Sequence, residues 1–408
     1  MVKIRKQDCS GCHACYSGCP KECISMEMDN EGFLYPRIDA VHCIQCGLCE
    51  KVCAFTGEKE EHVPAVPPVS SAAQCRDRQL LMSSSSGGIF SLLAFKIIDE
   101  GGVVFGATWT GDWKVKHSFT ETKEGVEAFR GSKYLQSEIG NTFRQAKAFL
   151  KEGRKVLFSG TPCQIAGLQS YLRTAYSNLT CVEIACHGVP SPKIWKAYLQ
   201  DYLEKHHLGN PVSISFRSKT RHFMLGNDSV SLGITYRKGN SIRTRLESLY
   251  ATSYGSAFQK NSISRPSCLD CRIKLRPSRA DISLGDFQGL GDLYPELTPK
   301  NGISLVVCHT EKGKQIYESI KNDLSMDRAV PAGITTERNA GLSYHWQALS
   351  PRDSFMEKLL RTDSEKKLAD RLNSSSRPGM VKRAMQRIFK SRLVILKNQI
   401  IHVLKRIK

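Results

Sequence analysis

Cys9-Ser10-Gly11-Cys12-His13-Ala14-Cys15-Tyr16-Ser17-Gly18-Cys19-Pro20 and Cys43-Ile44-Gln45-Cys46-Gly47-Leu48-Cys49-Glu50-Lys51-Val52-Cys53 are two copies of one pattern, C-x2-C-x2-C-x3-C. They hold eight of the 16 cysteines in the chain. Each copy brings three thiolates to one side of a tight loop, as a cuboidal [4Fe–4S] cluster requires, and sends the fourth Cys on to the other cluster. The spacing therefore predicts one site from Cys9, Cys12, Cys15 and Cys53, and a second from Cys43, Cys46, Cys49 and Cys19. Pro20 follows the fourth Cys of the first copy, whereas Ala54 stands at that place in the second. Structural zinc wants two C-x-x-C pairs per metal and leaves this repeat unexplained, as disulfides do.

A chain of 408 residues has room for two to three domains. Cys9 is expected to be a ligand, so no cleavable secretory segment is expected before it. No run of 18 apolar residues predicts a membrane span, and cluster-type cysteine usage predicts a cytoplasmic protein. The formal charge of +20 is uneven: residues 371–408 hold eleven Lys or Arg and no Asp or Glu. The rest is moderately basic, which suits an acidic donor such as ferredoxin, or a phosphorylated cofactor.

The fold class expected is α+β. Residues 1–56 form the two-cluster module, with strands at Ile24–Met28 and Leu34–Ile38. Residues 57–71, with three Pro, read as a linker. Helices and apolar strands then alternate through a first core domain (72–150) and a second (151–325). Helices are expected at Gly88–Asp99, Glu138–Lys151 and Ile165–Arg173. Strands are expected at Val103–Trp109, Lys155–Ser159, Cys181–Ala185, Ser213–Arg217, Val230–Tyr236 and Ile303–Cys308. Val230–Tyr236 alternates in the manner of an antiparallel strand and the earlier ones do not. Residues 326–375 are unassigned, and 376–408 form a basic amphipathic tail.

Six core segments are more specific than their composition: Ser84-Ser85-Ser86-Gly87-Gly88-Ile89-Phe90, Gly131-Ser132-Lys133-Tyr134-Leu135-Gln136-Ser137, Gly160-Thr161-Pro162-Cys163-Gln164, Cys186-His187-Gly188-Val189-Pro190-Ser191-Pro192, Cys268-Leu269-Asp270-Cys271-Arg272 and Asp281-Ile282-Ser283-Leu284-Gly285-Asp286-Phe287. In this order they resemble the beta-subunit family of coenzyme F420 hydrogenases and dehydrogenases. That family includes plant hydroxymethyl-chlorophyll reductase and bacterial proteins encoded with polysaccharide genes. The resemblance runs from the N-terminal module to about residue 320. It implies a flavoprotein with FAD in the core, iron–sulfur clusters beside it, and hydride exchange with a deazaflavin or another two-electron substrate. The family often carries Trp where Gln288 stands here, which leaves the substrate side open.

The residues can also be read for themselves. Ser85, Ser86, Gly87 and Gly88 stand where a helix begins, and such an end offers free N–H groups to a phosphate; a plain Ser N-cap is the alternative. Gly131, Ser132 and Lys133 add hydroxyls and a cation for a diphosphate or flavin, unless Lys133 is a solvated surface residue. Thr161 and Gln164 complete the expected cofactor set, and His187 and Lys133 are the candidate catalytic residues. Cys163, Cys186, Cys268 and Cys271 supply four thiols for a third [4Fe–4S] cluster beside the flavin. The alternatives are a reactive Cys163, a buried Cys186 and a redox pair in the C-x-x-C. Cys75, Cys181 and Cys308 read as core, and Cys23 as surplus to the repeat. Arg272, Lys274, Arg276 and Arg279 would bind an anionic cofactor tail, lower thiolate pKa values, or form a solvated face. Asp281 and Asp286 would orient those cations or a flavin ring, with a turn role as the alternative for Asp286.

From Met380 to Lys408 an apolar stripe opposes a basic face, which suits either peripheral contact with an anionic inner-membrane surface or packing on protein. The function expected is an FAD and iron–sulfur oxidoreductase, acting on coenzyme F420 or on an organic substrate of polysaccharide biosynthesis, with ferredoxin or a redox subunit as partner. An electron-relay subunit without its own substrate is the alternative. A basic nucleic-acid-binding protein is a third reading, but the tail lacks interleaved aromatics and no nucleic acid is expected.

Overall fold

The computed structural model describes residues 4–56, 67–219, 230–274, 276–287, 294, 302–331, 351–362 and 364–375. The expected amphipathic tail and Gln288 lie outside the described residues. Near the N-terminus, α1 (Ala14–Gly18) and α2 (Leu48–Lys51) each begin one residue before the third Cys of one repeat, and β1 (Ile24–Met28) and β2 (Leu34–Ile38) form an antiparallel hairpin between them. Both strands have the predicted bounds, because Pro, Gly and Asp punctuate each short apolar run.

The core is a nine-stranded mixed sheet. Its strands are β3 (Val69–Cys75), β4 (Val103–Trp109), β5 (Val115–Thr120), β6 (Ser137–Glu138), β7 (Val156–Gly160) and β8 (Leu179–Ile184), with three later ones. A separate antiparallel sheet of β9 (Pro211–Ser215), β10 (Ser231–Lys238) and β11 (Ser241–Ser248) contains the segment whose alternation predicted it. The large sheet is completed by β12 (Ile282–Asp286), β13 (Ser304–Cys308) and β14 (Leu324–Val330), in the order β14-β3-β13-β12-β8-β7-β4-β5-β6. At its centre β4, β7, β8 and β12 run parallel, and β5, β13, β3 and β14 flank them with antiparallel pairings. The class is α+β, with a ferredoxin-type module at the N-terminus.

Helices cover both faces. One face buries α3 (Arg78–Ser83) and α4 (Ile89–Asp99) with the later helix Glu311–Glu318. The other buries α5 (Thr142–Lys151) and α6 (Pro162–Leu172), together with Cys12, Ala14 and Val52 of the N-terminal module. A third apolar cluster joins α7 (Pro192–Lys205) and α8 (Ser253–Gln259) to the smaller sheet and the helices Arg352–Leu360 and Glu365–Ser375.

Some expectations shift. Val69–Ser71, placed in the linker, begin β3, and residues 326–375, left unassigned, hold most of β14 and, among the described residues, two helices. The helix expected over 138–151 starts at Thr142. Ile139 is in phase with Phe143, Ala146 and Leu150, but Gly140 turns to φ 53 and Ser137–Glu138 pair with β5 instead. Helix α7, capped by the Ser191 hydroxyl accepting from Ile194 N–H, was not anticipated at all.

Candidate functional site

A cavity of about 460 Å³ opens at the carboxyl ends of the four parallel strands. Ala107 of β4, Ser159 and Gly160 of β7, Ile184 of β8 and Leu284 to Asp286 of β12 form its floor. This is where open α/β sheets gather ligands, and the volume lies within the roughly 300–1,000 Å³ typical of cofactor sites.

Two motifs read separately in the sequence meet at the rim. Ser85 Oγ accepts from Ser132 N–H at 2.6 Å and lies 3.0 Å from Ser132 Oγ. Ser85, Ser86, Gly88, Gly131, Ser132, Lys133, Thr161, Gln164 and His187 all line the cavity. The first turn of α4 lines it too, with Ile89 and Phe90 at the helix end whose leading N–H groups have no partner within a helix, while Ser91 N–H donates to the Gly88 carbonyl at 3.2 Å. Gly87 is the exception among the expected residues. A Cβ there would stand 2.3 Å from the Ala73 carbonyl, and its N–H donates to Ser304 Oγ at 2.9 Å, so it packs against β3 and β13 behind the wall. Lys133 Nζ donates to the carbonyls of Arg130 and Gly131 at 3.0 and 3.2 Å, and burial pushes its amine down to about 7. Among the described residues no carboxylate pairs with it, which suits an anionic guest.

The deep end carries a hydrogen-bonded chain that the sequence did not reveal. His117 Nε2 faces the Ser159 carbonyl at 3.0 Å, which assigns the proton to Nε2 and leaves Nδ1 to accept from Ser137 Oγ at 3.0 Å. Burial pushes this imidazole down to about 4. Gln164 Nε2 donates to Ser137 Oγ at 3.0 Å, and its Oε1 accepts from Thr161 N–H at 2.9 Å. Thr161 Oγ1 in turn lies 3.1 Å from Cys163 Sγ. His187 packs edge-on against Phe258, and burial, then the Lys274 charge, push its imidazole down to about 4. Arg217 pairs with Asp286 in the cavity wall. Asp281 instead accepts from Cys181 N–H and Thr310 and pairs with Lys312, away from the basic group near the C-x-x-C. Of that group, Arg272 pairs with Asp8 and Lys274 donates to the Cys186 carbonyl.

The thiols fall into three groups. Cys9, Cys12, Cys15 and Cys53 are neighbours; burial first, then the nearby thiols, push Cys12 up to about 11 and Cys15 higher. Cys163, Cys186, Cys268 and Cys271 are associated in the same way, with burial first and the other three thiols next raising Cys163 well above the usual range. Cys19, Cys43, Cys46 and Cys49 line a small surface cavity, together with Cys23. Cys75, Cys181 and Cys308 are buried in the core as expected.

Clustered thiols whose ionisation burial opposes, as at Cys12, Cys15 and Cys163, would stay protonated unless a cation held them as thiolates. Among the described residues no three His, Cys, Asp or Glu side chains converge tightly enough for a single metal ion. A four-iron, four-sulfide cube sets its thiolates further apart than one ion does. His13 Nδ1 and Ser17 Oγ, in the loop around the first group, are buried without partners among the described residues, and cluster sulfides would accept from such donors.

Arg265 makes the strongest case and was missed in the sequence; its place just before Pro266 and the C-x-x-C was the available signal. Fully buried, it donates to the Cys9 carbonyl at 2.7 Å, to the Leu34 carbonyl at 2.9 Å and to Gln136 Oε1 at 2.9 Å, with Nη2 3.7 Å from Cys9 Sγ. Its guanidinium lies 4.2 Å from the Tyr35 ring centre, and no carboxylate pairs with it among the described residues. A buried cation of this kind needs a negative partner, and a thiolate-bound cluster is one. The residues fit the group.

Helix α6 connects the first N-terminal group to the core group. Cys163 is its second residue, and one turn further on Gly167 lies against Cys12, where a Cβ would stand 2.8 Å from Sγ. Cys186 belongs both to the core group and to the cavity wall. The second N-terminal group lies outermost, with Cys46 exposed.

Residues 153–330 match the family model for the C terminus of the coenzyme F420 hydrogenase/dehydrogenase beta subunit, and residues 8–56 match a 4Fe-4S dicluster domain. Among solved structures, a chain of the F420-reducing [NiFe] hydrogenase complex from Methanosarcina barkeri, studied by xenon derivatization, is similar at 21% identity and a TM-score of 0.43, over 76% of this chain and 90% of that one. No curated protein matches. The chain thus carries an N-terminal region similar to 4Fe-4S dicluster domains, followed by a region similar to the carboxy-terminal domain of the coenzyme F420 hydrogenase/dehydrogenase beta subunit, an arrangement that fits an iron–sulfur oxidoreductase that transfers electrons.

Proposed function

We propose that this protein is an iron–sulfur flavoprotein oxidoreductase, with FAD in the large cavity, a [4Fe–4S] cluster at each of the three thiol groups, and coenzyme F420 or a polysaccharide precursor as hydride partner. The observation that carries this reading is Cys186, which is shared between the core thiols and the cavity wall. Bound there, a flavin supplies hydride chemistry and the clusters supply single electrons.

The chain's own residues then have separable tasks. Ser85, Ser86, Gly131, Ser132 and the first turn of α4 would hold a diphosphate, with Lys133 answering its charge. Gln164 and Ser137 hold His117 in one tautomer on the cavity floor. His187, neutral at physiological pH, would donate a hydrogen bond rather than act as a strong acid. The surface position of the second thiol group, beside exposed Val41 and Ile44, supports docking of a ferredoxin or another redox subunit there. Among the described residues no helix is long and apolar enough to cross a membrane; peripheral attachment through the basic tail of this cytoplasmic enzyme is part of the proposal.

The test is the cofactor content of anaerobically purified full-length protein. About twelve irons, four per cluster, and one releasable FAD per chain are expected. Protein rich in iron but without flavin, even after incubation with FAD, would make it a relay subunit.

A further inference from the structure

The turn Cys19-Pro20-Lys21-Glu22-Cys23 folds back on itself. Glu22 N–H donates to the Cys19 carbonyl at 3.3 Å, Glu22 takes up φ 51, and its carboxylate pairs with Arg144 of α5. Cys23 is then pinned from the other side, because its carbonyl accepts from Asp39 N–H at 2.8 Å, closing the end of the β1–β2 hairpin. The consequence is a pair of sulfurs, Cys19 Sγ and Cys23 Sγ, 3.4 Å apart. Cys43 lies near Cys23 as well. All three line the small cavity shared with Cys46 and Cys49. Five thiols thus surround a site for which the repeat supplies four.

We propose that the second N-terminal site is a five-thiol site, in which Cys23 is an alternate fourth ligand that can take the iron corner assigned to Cys19. The inference rests on reading this site as a [4Fe–4S] site. The exchange balances without any redox partner. The iron–sulfur bond to Cys19 breaks, the bond to Cys23 forms, and the proton of the Cys23 thiol passes to Cys19 Sγ across their contact; no electron is gained or lost. Pro20 and the pinned Cys23 backbone allow this without unfolding the module, since the two sulfurs are already in contact.

The location gives the spare thiol a use. The first group is enclosed, with Cys9, Cys12 and Cys53 each 7–8% exposed, whereas Cys46 of the second group is open to solvent. An exposed cluster meets oxidants first. A second thiol beside the fourth ligand keeps that corner coordinated when Cys19 is oxidised or alkylated.

The experiment uses the full-length protein, reconstituted anaerobically with iron and sulfide, and measures iron per chain together with low-temperature electron paramagnetic resonance of the reduced protein. Alanine replaces each thiol, because serine can itself bind iron. Cys19→Ala should retain the wild-type iron content with an altered signal from the second site, and Cys23→Ala should retain both content and signal. The double variant should lose about four irons per chain. The unchanged signals of the other sites report folding in each sample. Loss of about four irons in Cys19→Ala alone, or wild-type iron in the double variant, would overturn the alternate ligand. Replacement of Cys46 and Cys49 together is the separate control. Wild-type iron in that variant would remove the second cluster itself, and the proposal with it.

Discussion

Cys9, Cys12 and Cys15 are gathered within a single loop, whereas Cys163, Cys186, Cys268 and Cys271 come from the start of α6, the end of β8 and the segment after Pro266. Three thiols of the first group need only a few residues of correct backbone, and Cys53 returns to them from the later repeat. The second exists only once the nine-stranded sheet has put β7 beside β8 and brought residues 265–271 against Gly188 and Val189. One chemistry can therefore rest on two kinds of evidence: spacing in the first case, topology in the second. The contrast also separates their vulnerabilities. A disturbed loop would lose an N-terminal cluster alone, while a disturbed sheet would lose the proposed core cluster and the cavity together.

Replacement of a core thiol tests this contrast with the largest effect. Cys186→Ala should remove about four irons per chain and leave the N-terminal signals in place. Electrons supplied at the N-terminal module should then no longer reduce the bound flavin, as followed by its visible absorbance. Unchanged iron would mean that the topological group holds no cluster.

Arg265 joins the two regions, so its loss should affect both. Arg265→Met leaves the carbonyls of Cys9 and Leu34 without their donor and should cost on the order of 2–4 kcal/mol in anaerobic denaturant unfolding. Removal of a buried cation beside Cys9 should also lower the reduction potential of the first cluster. A potential that does not move would reduce Arg265 to a structural clamp.

Lys133 gives a pH dependence confined to the core. Burial lowers its folded pKa to about 7, whereas the unfolded chain holds that proton to about 10.4. The burial cost is therefore full below about pH 7, and between there and pH 10 the unfolded state binds more protons, so this residue makes flavin-free protein more stable as pH rises. An anionic guest restores the charge. At pH 8.5, FAD binding should take up nearly one proton, as read by calorimetry in buffers of different ionisation enthalpy. Lys133→Met should abolish the uptake and weaken binding about tenfold or more.

The smallest effect is expected at Thr161. Its hydroxyl stands between Cys163 Sγ and Gln164 Oε1. Thr161→Val should lower the core cluster's potential by the worth of one hydrogen bond, on the order of 1 kcal/mol, and Thr161→Ser should restore it. Equal potentials in all three proteins would show that the hydroxyl only caps α6.

Much of the candidate site was legible because its residues are chemically distinctive. The Ser-Ser-Gly-Gly and Gly-Ser-Lys segments were read as neighbours of one ligand, and Ser85 and Ser132 do meet. Gly87 shows the limit of such reading, since its missing side chain serves the packing of β3 and β13 rather than the cavity. His117 was invisible: it sits within the alternating strand β5, where nothing distinguishes an inward His from a core residue until Ser137 and Gln164 arrive from elsewhere. Cys23 was read as surplus because the repeat counts only to four, and only the turn at Glu22 brings its sulfur to Cys19.

The N-terminal hairpin, the two cysteine repeats, three of the four central parallel strands (β4, β7 and β8, but not β12) and the identity of the core motifs could be read from the chain alone, because each is written in residues a few positions apart. Ligand spacing, alternation and turn chemistry are local, so they survive in one dimension. Folding in three dimensions was needed to show that Arg265 lies against Cys9 with no carboxylate partner among the described residues, that Gly167 lets α6 approach Cys12, and that Cys186 faces both thiols and cavity. Those relations depend on the strand order β12-β8-β7-β4, which long-range burial selects and no short window of sequence encodes.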